Sequence, residues 1–190
     1  MEVSTAPYQE LPQALRREIN VMLHLAYQCE GEADLDETLH RAELDAQSLC
    51  LLDGDGRVAA YAAVLGKSIA QQGQAYALGS LSCVATHPAM RGRGLGARAV
   101  KAASDWLRDC GRYDIAAFSC DAGLLPFYRA AAGWEAADVV LLANGDENAL
   151  RSDMLGKAVV LELLSGRAQA AAASFQGAEI DLDLPPGEFI

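Results

Sequence analysis

The feature that most constrains this chain is a junction. The apolar run LSCVATHP at residues 81–88 leads into RGRGLG at 91–96, which leads directly into ARAVKAASDWLRDC. This order calls for a strand, a turn of nearly bare backbone and a helix in immediate succession. A strand that feeds a helix leaves the first helical N–H groups without partners, at the positive end of the helix dipole. Gly92, Gly94 and Gly96 place no side chain between those donors and a ligand, and Arg91 and Arg93 add positive charge. The ligand suited to such a run of amides is an anion, best of all a phosphate or diphosphate. A plain turn is the competing reading, because glycine serves wherever φ must be positive. The loop lacks the Gly-Lys-Ser/Thr of a P-loop, and its GxGxG spacing departs from the GxGxxG of dinucleotide folds. It occurs once, unlike the repeats of an arginine–glycine RNA-binding segment.

The elements around the junction follow from periodicity. Leu15, Ile19, Met22, Leu23 and Ala26 recur at helical spacing within 11–28. In the acidic stretch EGEADLDETLHRAEL, Asp34 is placed to cap a short helix. SLCLLD (48–53) and RVAAYAAVLG (57–66) read as strands joined by a DGDG turn, and 75–88 as a long third strand. Residues 94–109 form the most amphipathic helix, 112–120 a buried strand, and LLPFYRAAAGW a helix with Pro126 near its start and Gly133 at its stop. Strands are expected at 137–143, 157–164 and 178–184, with the last at a half-exposed sheet edge, and the alanine run at 168–173 is expected to be helical.

With 190 residues the chain is expected to be a single domain. Its parts are the N-terminal helices and first hairpin (1–74), a core (75–134) and C-terminal strands (135–190). The formal net charge of −11 speaks against nucleic acid as a partner. It favours either simple solubility or the steering of a cationic small molecule. No apolar run reaches the ~18 residues of a membrane helix, and the N-terminus shows no secretion signal. The five cysteines are an odd number without a CxxC pair, so free thiols, no metal site and a cytoplasmic setting are expected.

The stretch VATHPAMRGRGLGARAV resembles the acetyl-CoA loop of the GNAT superfamily of N-acetyltransferases, whose (Arg/Gln)-x-x-Gly-x-(Gly/Ala) is met by Arg91, Gly94 and Gly96. Val84 to Pro88 matches the Val-x-x-His-Pro usual before that loop. LLPFYRAAAGW resembles the family's later helix, in which Phe-Tyr is followed by Gly and an aromatic. The likeness is good over residues 76–134 and weaker beyond. It implies an α/β (α+β) fold: a central mixed, mostly antiparallel sheet with a strand pair splayed near residue 84, and helices on both faces. It implies acetyl-CoA as co-substrate, with pantetheine against the backbone of Val84, Ala85 and Thr86. The diphosphate would lie on the amides of Arg91, Gly92, Arg93, Gly94, Leu95, Gly96 and Ala97. His87 matches a position that is not usually catalytic.

Acetyl transfer needs a neutral amine, a donor for the developing oxyanion and a proton for the departing thiolate. The resemblance gives the last role to Tyr128, whose phenol is protonated at neutral pH. Four residues, rather than the family's usual three, separate it from Gly133. Ser82 and Cys83 stand at the catalytic centre where many relatives carry a Glu acting through water, and neither is a good base. A water chain, a carboxylate elsewhere or an amine that arrives neutral are the remaining sources of base action. A covalent acetyl-cysteine on Cys83 or Cys120 is the less favoured route, because buried cysteines are usually inert.

Within the superfamily, the chain resembles the aminoglycoside 2′-N-acetyltransferases in AYQCEGEADLDETL, AAFSCDAGLLPFY, SDMLG and PPGEFI. That likeness would put Asp34, Ser119, Asp153, Glu188 and the Ile190 carboxylate in an amine pocket. The expectation is an N-acetyltransferase for a small cationic amine. The alternatives are a protein or peptide acetyltransferase and a CoA-binding sensor without turnover. A homodimer through exposed strand edges is a further expectation.

Overall fold

The computed structural model describes residues 1–189. Its strands hydrogen-bond in the order β1-β2-β3-β4-β5-β7, with β6 and β8 as a separate pair. The chain divides into two compact units, Met1–Leu65 with Leu81–Trp106, and Gly66–Ser80 with the chain from Leu107 onward.

The first unit starts with β1 (Val3–Pro7), a strand absent from the sequence expectation. α1 follows (Gln13–Tyr27), then β2 (Gln47–Leu52) and the first part of β3 (Val58–Gln71). β1 and β2 pair antiparallel from Val3↔Leu51 to Pro7↔Gln47. β2 and β3 pair antiparallel around the Asp53–Gly56 turn, with a register shift between Leu51 and Leu52. Ile19, Met22 and Leu23 of α1 are buried, as are Leu49 and Leu51 of β2 and every residue of β3 from Val58 to Leu65. The unit closes with the last part of β4 (Gln74–Thr86), the glycine loop and the start of α2 (Leu95–Asp109).

The short helix expected at Asp34 is not there. The Asp34 carboxylate instead accepts the Asp36 amide at 3.0 Å, a local Asx turn. The Asn20 side-chain amide of α1 binds the carbonyls of Asp34, Leu35 and Glu37 at 3.3, 3.3 and 2.9 Å, so acceptors that would propagate a helix are already occupied.

In the second unit the end of β3 turns into β4 through Gln72 and Gly73, with φ of 48° and 77°. Two successive left-handed residues make the tight turn suited to the twist of paired antiparallel strands. β4 pairs parallel with β5 (Ile115–Asp121) at Leu78↔Ile115 and Gly79↔Ala116. β5 pairs antiparallel with β7 (Lys157–Leu163) along its whole length. α3 (Leu125–Ala132) carries Pro126 in its first turn and ends at Gly133, whose φ of 73° lets its N–H return to the Arg129 carbonyl at 2.8 Å. β6 (Val140–Leu142) pairs parallel with β8 (Glu179–Asp181). The alanine-rich run is α4 (Gly166–Ala170) followed by a short 3-10 turn, Ala172–Phe175. Tyr76, Leu78, Ile115, Leu141, Phe175 and Ile180 are among the residues of one buried cluster.

Candidate active site

β4 departs from regular geometry at Cys83, whose φ of 50° lies in the left-handed region. The His87 amide donates to the Ala59 carbonyl at 2.9 Å. Counted from the Gln72–Gly73 turn, β4 reaches that bond with one residue more than β3. Cys83 is therefore a bulge, and it re-aims the backbone that follows it.

Beyond the strand, His87 Nδ1 accepts the Ala89 amide at 3.2 Å and so caps a single 3-10 turn, Pro88–Met90. Gly92 and Gly94 then take φ of 77° and 72°. A Cβ at either would meet nothing within 4 Å, so glycine is required here by conformation and not by crowding. The first loop bond after these glycines runs from the Arg98 amide to the Gly94 carbonyl, at 3.1 Å. The amides of Gly92 through Ala97 have no acceptor among the described residues. Residues 91–94 are exposed, so a row of free N–H groups faces outward at the N-terminus of a 15-residue helix.

Arg91 is only partly available to an anion. Its Nη2 donates to the Ala26 carbonyl in the last turn of α1 at 2.8 Å, a favourable place for a cation at a helix C-terminus. On the same turn the Tyr27 hydroxyl lies 3.5 Å from the Val84 carbonyl, directly after the bulge. Ala85 is buried, and Val84 and Thr86 are half-buried. Ser82 Oγ sits 3.6 Å from Cys83 Sγ. Burial pushes the Cys83 thiol above its ordinary range, with the Ser82 contact opposing, so it is a protonated thiol near neutral pH. Burial also raises Cys120. Neither is a thiolate nucleophile.

A polar group that sequence reasoning missed lies in the same unit. The Tyr61 hydroxyl, fully buried on β3, is 2.8 Å from Ser48 Oγ and 3.0 Å from His40 Nε2. His40 stacks edge-on against Tyr8 at 4.9 Å. Burial lowers the His40 pKa to about 4, so its ring is neutral over the physiological range. Burial also raises Tyr61, with the nearby Cys83 and Cys50 thiols adding to the shift. A Ser and a Tyr within otherwise apolar strands are the only signal that could have drawn attention to it.

In the second unit, Tyr128 lies in the middle of α3 with 8% of its surface exposed, against Phe118 at 5.1 Å and Phe127 at 5.2 Å. Its hydroxyl makes no hydrogen bond among the described residues. Burial first, then the charges of Cys120 and Asp121, raise its pKa to about 12, which keeps the proton on the oxygen.

The expected amine-pocket residues come from one loop of the first unit and from several segments of the second. Asp34 is on the exposed loop of the first unit. Ser119 lies on β5 opposite Val159. Asp153 is held by Arg151 through two bonds of 3.1 Å, and Arg151 also binds Glu179 at 2.7 Å. Asp153 is thus committed to an ion-pair group. Glu188 is exposed, its amide donating to the Pro185 carbonyl at 3.1 Å. The Ile190 carboxylate lies outside the described residues. Among the described residues no His, Cys, Asp and Glu side chains gather as a metal site, and no helix is long and apolar enough to cross a membrane.

A mixed, mostly antiparallel sheet with a bulged strand, a glycine loop and an amphipathic helix in succession defines an acyltransferase fold. The acetyltransferase (GNAT) family model matches residues 14–134, and the chain belongs to that family of acyl-transferring enzymes. Among solved structures, it resembles the Escherichia coli GNAT family N-acetyltransferase YhbS in complex with CoA. The identity is 20% over 94% of this chain and 89% of that one, with a TM-score of 0.64. Escherichia coli ElaA matches at 12% identity, 85% and 98% coverage and a TM-score of 0.56. An acyl-CoA N-acyltransferase from Pseudomonas aeruginosa matches at 16%, 85% and 98%, with a TM-score of 0.55. At such identities the likeness is one of fold. Comparison with curated proteins gives no match.

Proposed function

We propose that this protein transfers an acetyl group from acetyl-CoA to a primary amine of a small cationic molecule. The observation that carries the reading is the row of unpartnered amides from Gly92 to Ala97, held open by left-handed glycines at the start of α2. Those amides fit a diphosphate, because fixed N–H donors and the helix dipole converge on it without side-chain reorganisation. Arg93, exposed beside them, adds a further positive charge. The CoA bound to YhbS supports the same reading for this chain.

Acetyl-CoA supplies the acetyl group as an activated thioester. The backbone re-aimed by the Cys83 bulge is the source we assign for a donor to the carbonyl oxygen. Tyr128 is assigned as the proton donor to the leaving sulfur. Its raised pKa keeps it protonated wherever the amine is neutral, at the cost of a weaker acid. Ser82 and Cys83 supply no base, so the amine loses its proton to water or arrives neutral. Amino sugars of the aminoglycoside type are one acceptor class within this reading, consistent with the exposed carboxylates of residues 30–37.

The test is calorimetric titration with CoA, followed by thiol release from acetyl-CoA with a panel of primary amines and basic peptides. Micromolar CoA binding with amine-dependent release supports the proposal. Release only with peptides moves the acceptor class to proteins, and binding without release from any acceptor makes the protein a CoA sensor. Absence of CoA binding overturns the reading.

A further inference from the structure

A cleft of about 270 Å³ opens beside the first turns of α1. From Arg16 to Ala26, the residue whose carbonyl binds Arg91, is ~15 Å along the helix, so the cleft and the glycine loop lie toward opposite ends of α1. Gln13, Arg16 and Arg17 line the cleft from the helix, the segment from Leu35 to Thr38 from the loop that follows, and the buried Tyr8 from the chain ahead of the helix. Its walls are fixed by two side chains held out of solvent. The Asn20 amide binds the carbonyls of Leu35 and Glu37 at 3.3 and 2.9 Å, and the Tyr8 hydroxyl accepts the Leu39 amide at 3.1 Å. A ligand would therefore meet a shape already formed, with little ordering left to do.

The charges in the lining select the ligand. Arg17 and Asp36 are engaged with each other through bonds of 2.9 and 3.1 Å, and Gln13 adds a third to Asp36 at 3.2 Å. Arg16 and Glu37 are not. The Arg16 guanidinium lies 5.9 Å from the centre of the Tyr8 ring, on a half-buried residue, and no carboxylate is within ion-pair distance of it among the described residues. The chain has 26 acidic residues against 15 basic ones, so an open guanidinium does not reflect a shortage of carboxylates. Its planar fork matches a carboxylate. Glu37, in the same lining, has no cation within that distance among the described residues. A simple anion would be repelled by Glu37 and a simple cation by Arg16, whereas a molecule carrying both charges on neighbouring groups satisfies both. We propose that this cleft binds a free α-amino acid, with its carboxylate on Arg16 and its ammonium on Glu37. The volume is that of about nine molecules of liquid water, enough for an amino acid of the size of leucine or glutamine. This site is separate from the acetyl-transfer centre and does not depend on that reading.

The probes are L-leucine and L-glutamine, each with its deaminated acid and its decarboxylated amine. They are titrated into the full chain labelled with nitrogen-15, and the backbone amide NMR shifts report both where a probe binds and how tightly. At least one amino acid is expected to bind with a Kd of about 1 mM or less, shifting amides of residues 13–20 and 35–39. Its one-charge analogues should bind about tenfold more weakly or worse. R16Q should weaken the amino acid and its deaminated acid alike, about tenfold, and R16K, which keeps the charge without the fork, should recover only part of the loss. E37Q should weaken the amino acid about fivefold and leave the deaminated acid as tight as before, or tighter. The proposal is overturned if neither amino acid binds below about 10 mM, or if a one-charge analogue binds as tightly as its parent. Full affinity in E37Q also overturns it, and because Glu37 is exposed that variant decides the matter even if R16Q fails to fold. Shifts confined to residues 83–97 overturn it as well, since the amino acid would then be an acceptor at the proposed acetyl-transfer centre and not a ligand of the cleft.

Discussion

Lowering the pH should destabilise this protein through a single imidazole. His40 is 2% exposed and hydrogen-bonded to Tyr61, and burial depresses its pKa from 6.5 to about 4. A folded pKa below the unfolded one means that the native state resists the proton the unfolded chain accepts. Above pH 6.5 neither state is protonated and His40 adds no pH dependence. Between pH 6.5 and 4 the unfolded chain alone takes the proton, and stability falls at about 1.4 kcal/mol per pH unit. The full effect is about 3 kcal/mol, with about 2 kcal/mol of it lost between pH 6.5 and 5. Below pH 4 both states are protonated and the loss levels off. Urea unfolding at pH 7.5 and 5.0, on the wild type and on His40→Gln, isolates this contribution, because the carboxylates common to both cancel. The variant should be less stable at pH 7.5 but should lose about 2 kcal/mol less on acidification. An equal loss in both proteins, or a His40 ring signal that titrates near 6.5 by NMR, would refute the argument.

Gly94→Ala should cost about 1 kcal/mol, because φ of 72° is unfavourable for a residue with a Cβ even where space is open. CoA affinity should fall further in this variant than in Gly94→Asn, whose side chain tolerates that region; equal, wild-type affinities by calorimetry would dissociate the loop geometry from CoA. Tyr128→Phe should lower kcat about a hundredfold or more while CoA affinity is kept. In the wild type, Tyr128 should cause no alkaline decline in rate below about pH 11, given its pKa of about 12, and a stopped-flow pH profile falling near pH 9 would remove it as the acid. Gly79→Ala would put a Cβ 2.2 Å from Leu107 Cδ1 and 2.9 and 3.0 Å from Tyr113 ring carbons. Leu107 can rotate but the ring cannot, so thermal unfolding should show a loss of about 1–3 kcal/mol; no change in Tm would mean the backbone yields freely there.

The parts of the fold that were legible are those written in local pattern. α1 and α2 follow from apolar spacing, α3 from Pro126 and Gly133, and β5 and β7 from continuous apolar runs. β1 escaped because VSTAP has few apolar residues and ends in proline; it is a strand because β2 supplies its partners from Leu51 to Gln47. β3 runs five residues beyond its expected end at Gly66, through the polar KSIAQ, because β4 returns beside it after a two-residue turn. At 178–184 the alternation is real, with Ile180, Leu182 and Leu184 buried, but the strand stops at Asp181. Asp183 adopts φ of 47° and two prolines follow, which breaks the extended backbone while the burial pattern continues.

The same division governs the site. The glycine loop was legible because glycine announces a left-handed backbone, whereas the bulge was hidden because its left-handed residue is a cysteine. The His40–Ser48–Tyr61 group was hidden for a different reason. Register pairs Tyr61 with Cys50 and Ser48 with Ala63, so Ser48 and Tyr61 are diagonal neighbours, a relation fixed by strand alignment and not by spacing. Arg91 shows how such contacts revise a motif. By its position it belongs to the glycine loop, yet the structure gives its guanidinium to the end of α1. In the proposed function, cofactor recognition rests on main-chain groups, and these are encoded within a dozen consecutive residues. The Arg91–Ala26 and Tyr27–Val84 contacts, by contrast, join residues far apart in the sequence and follow from no local pattern. A family can therefore be recognised from one segment while the acceptor cannot, because fold and ancestry do not fix the substrate.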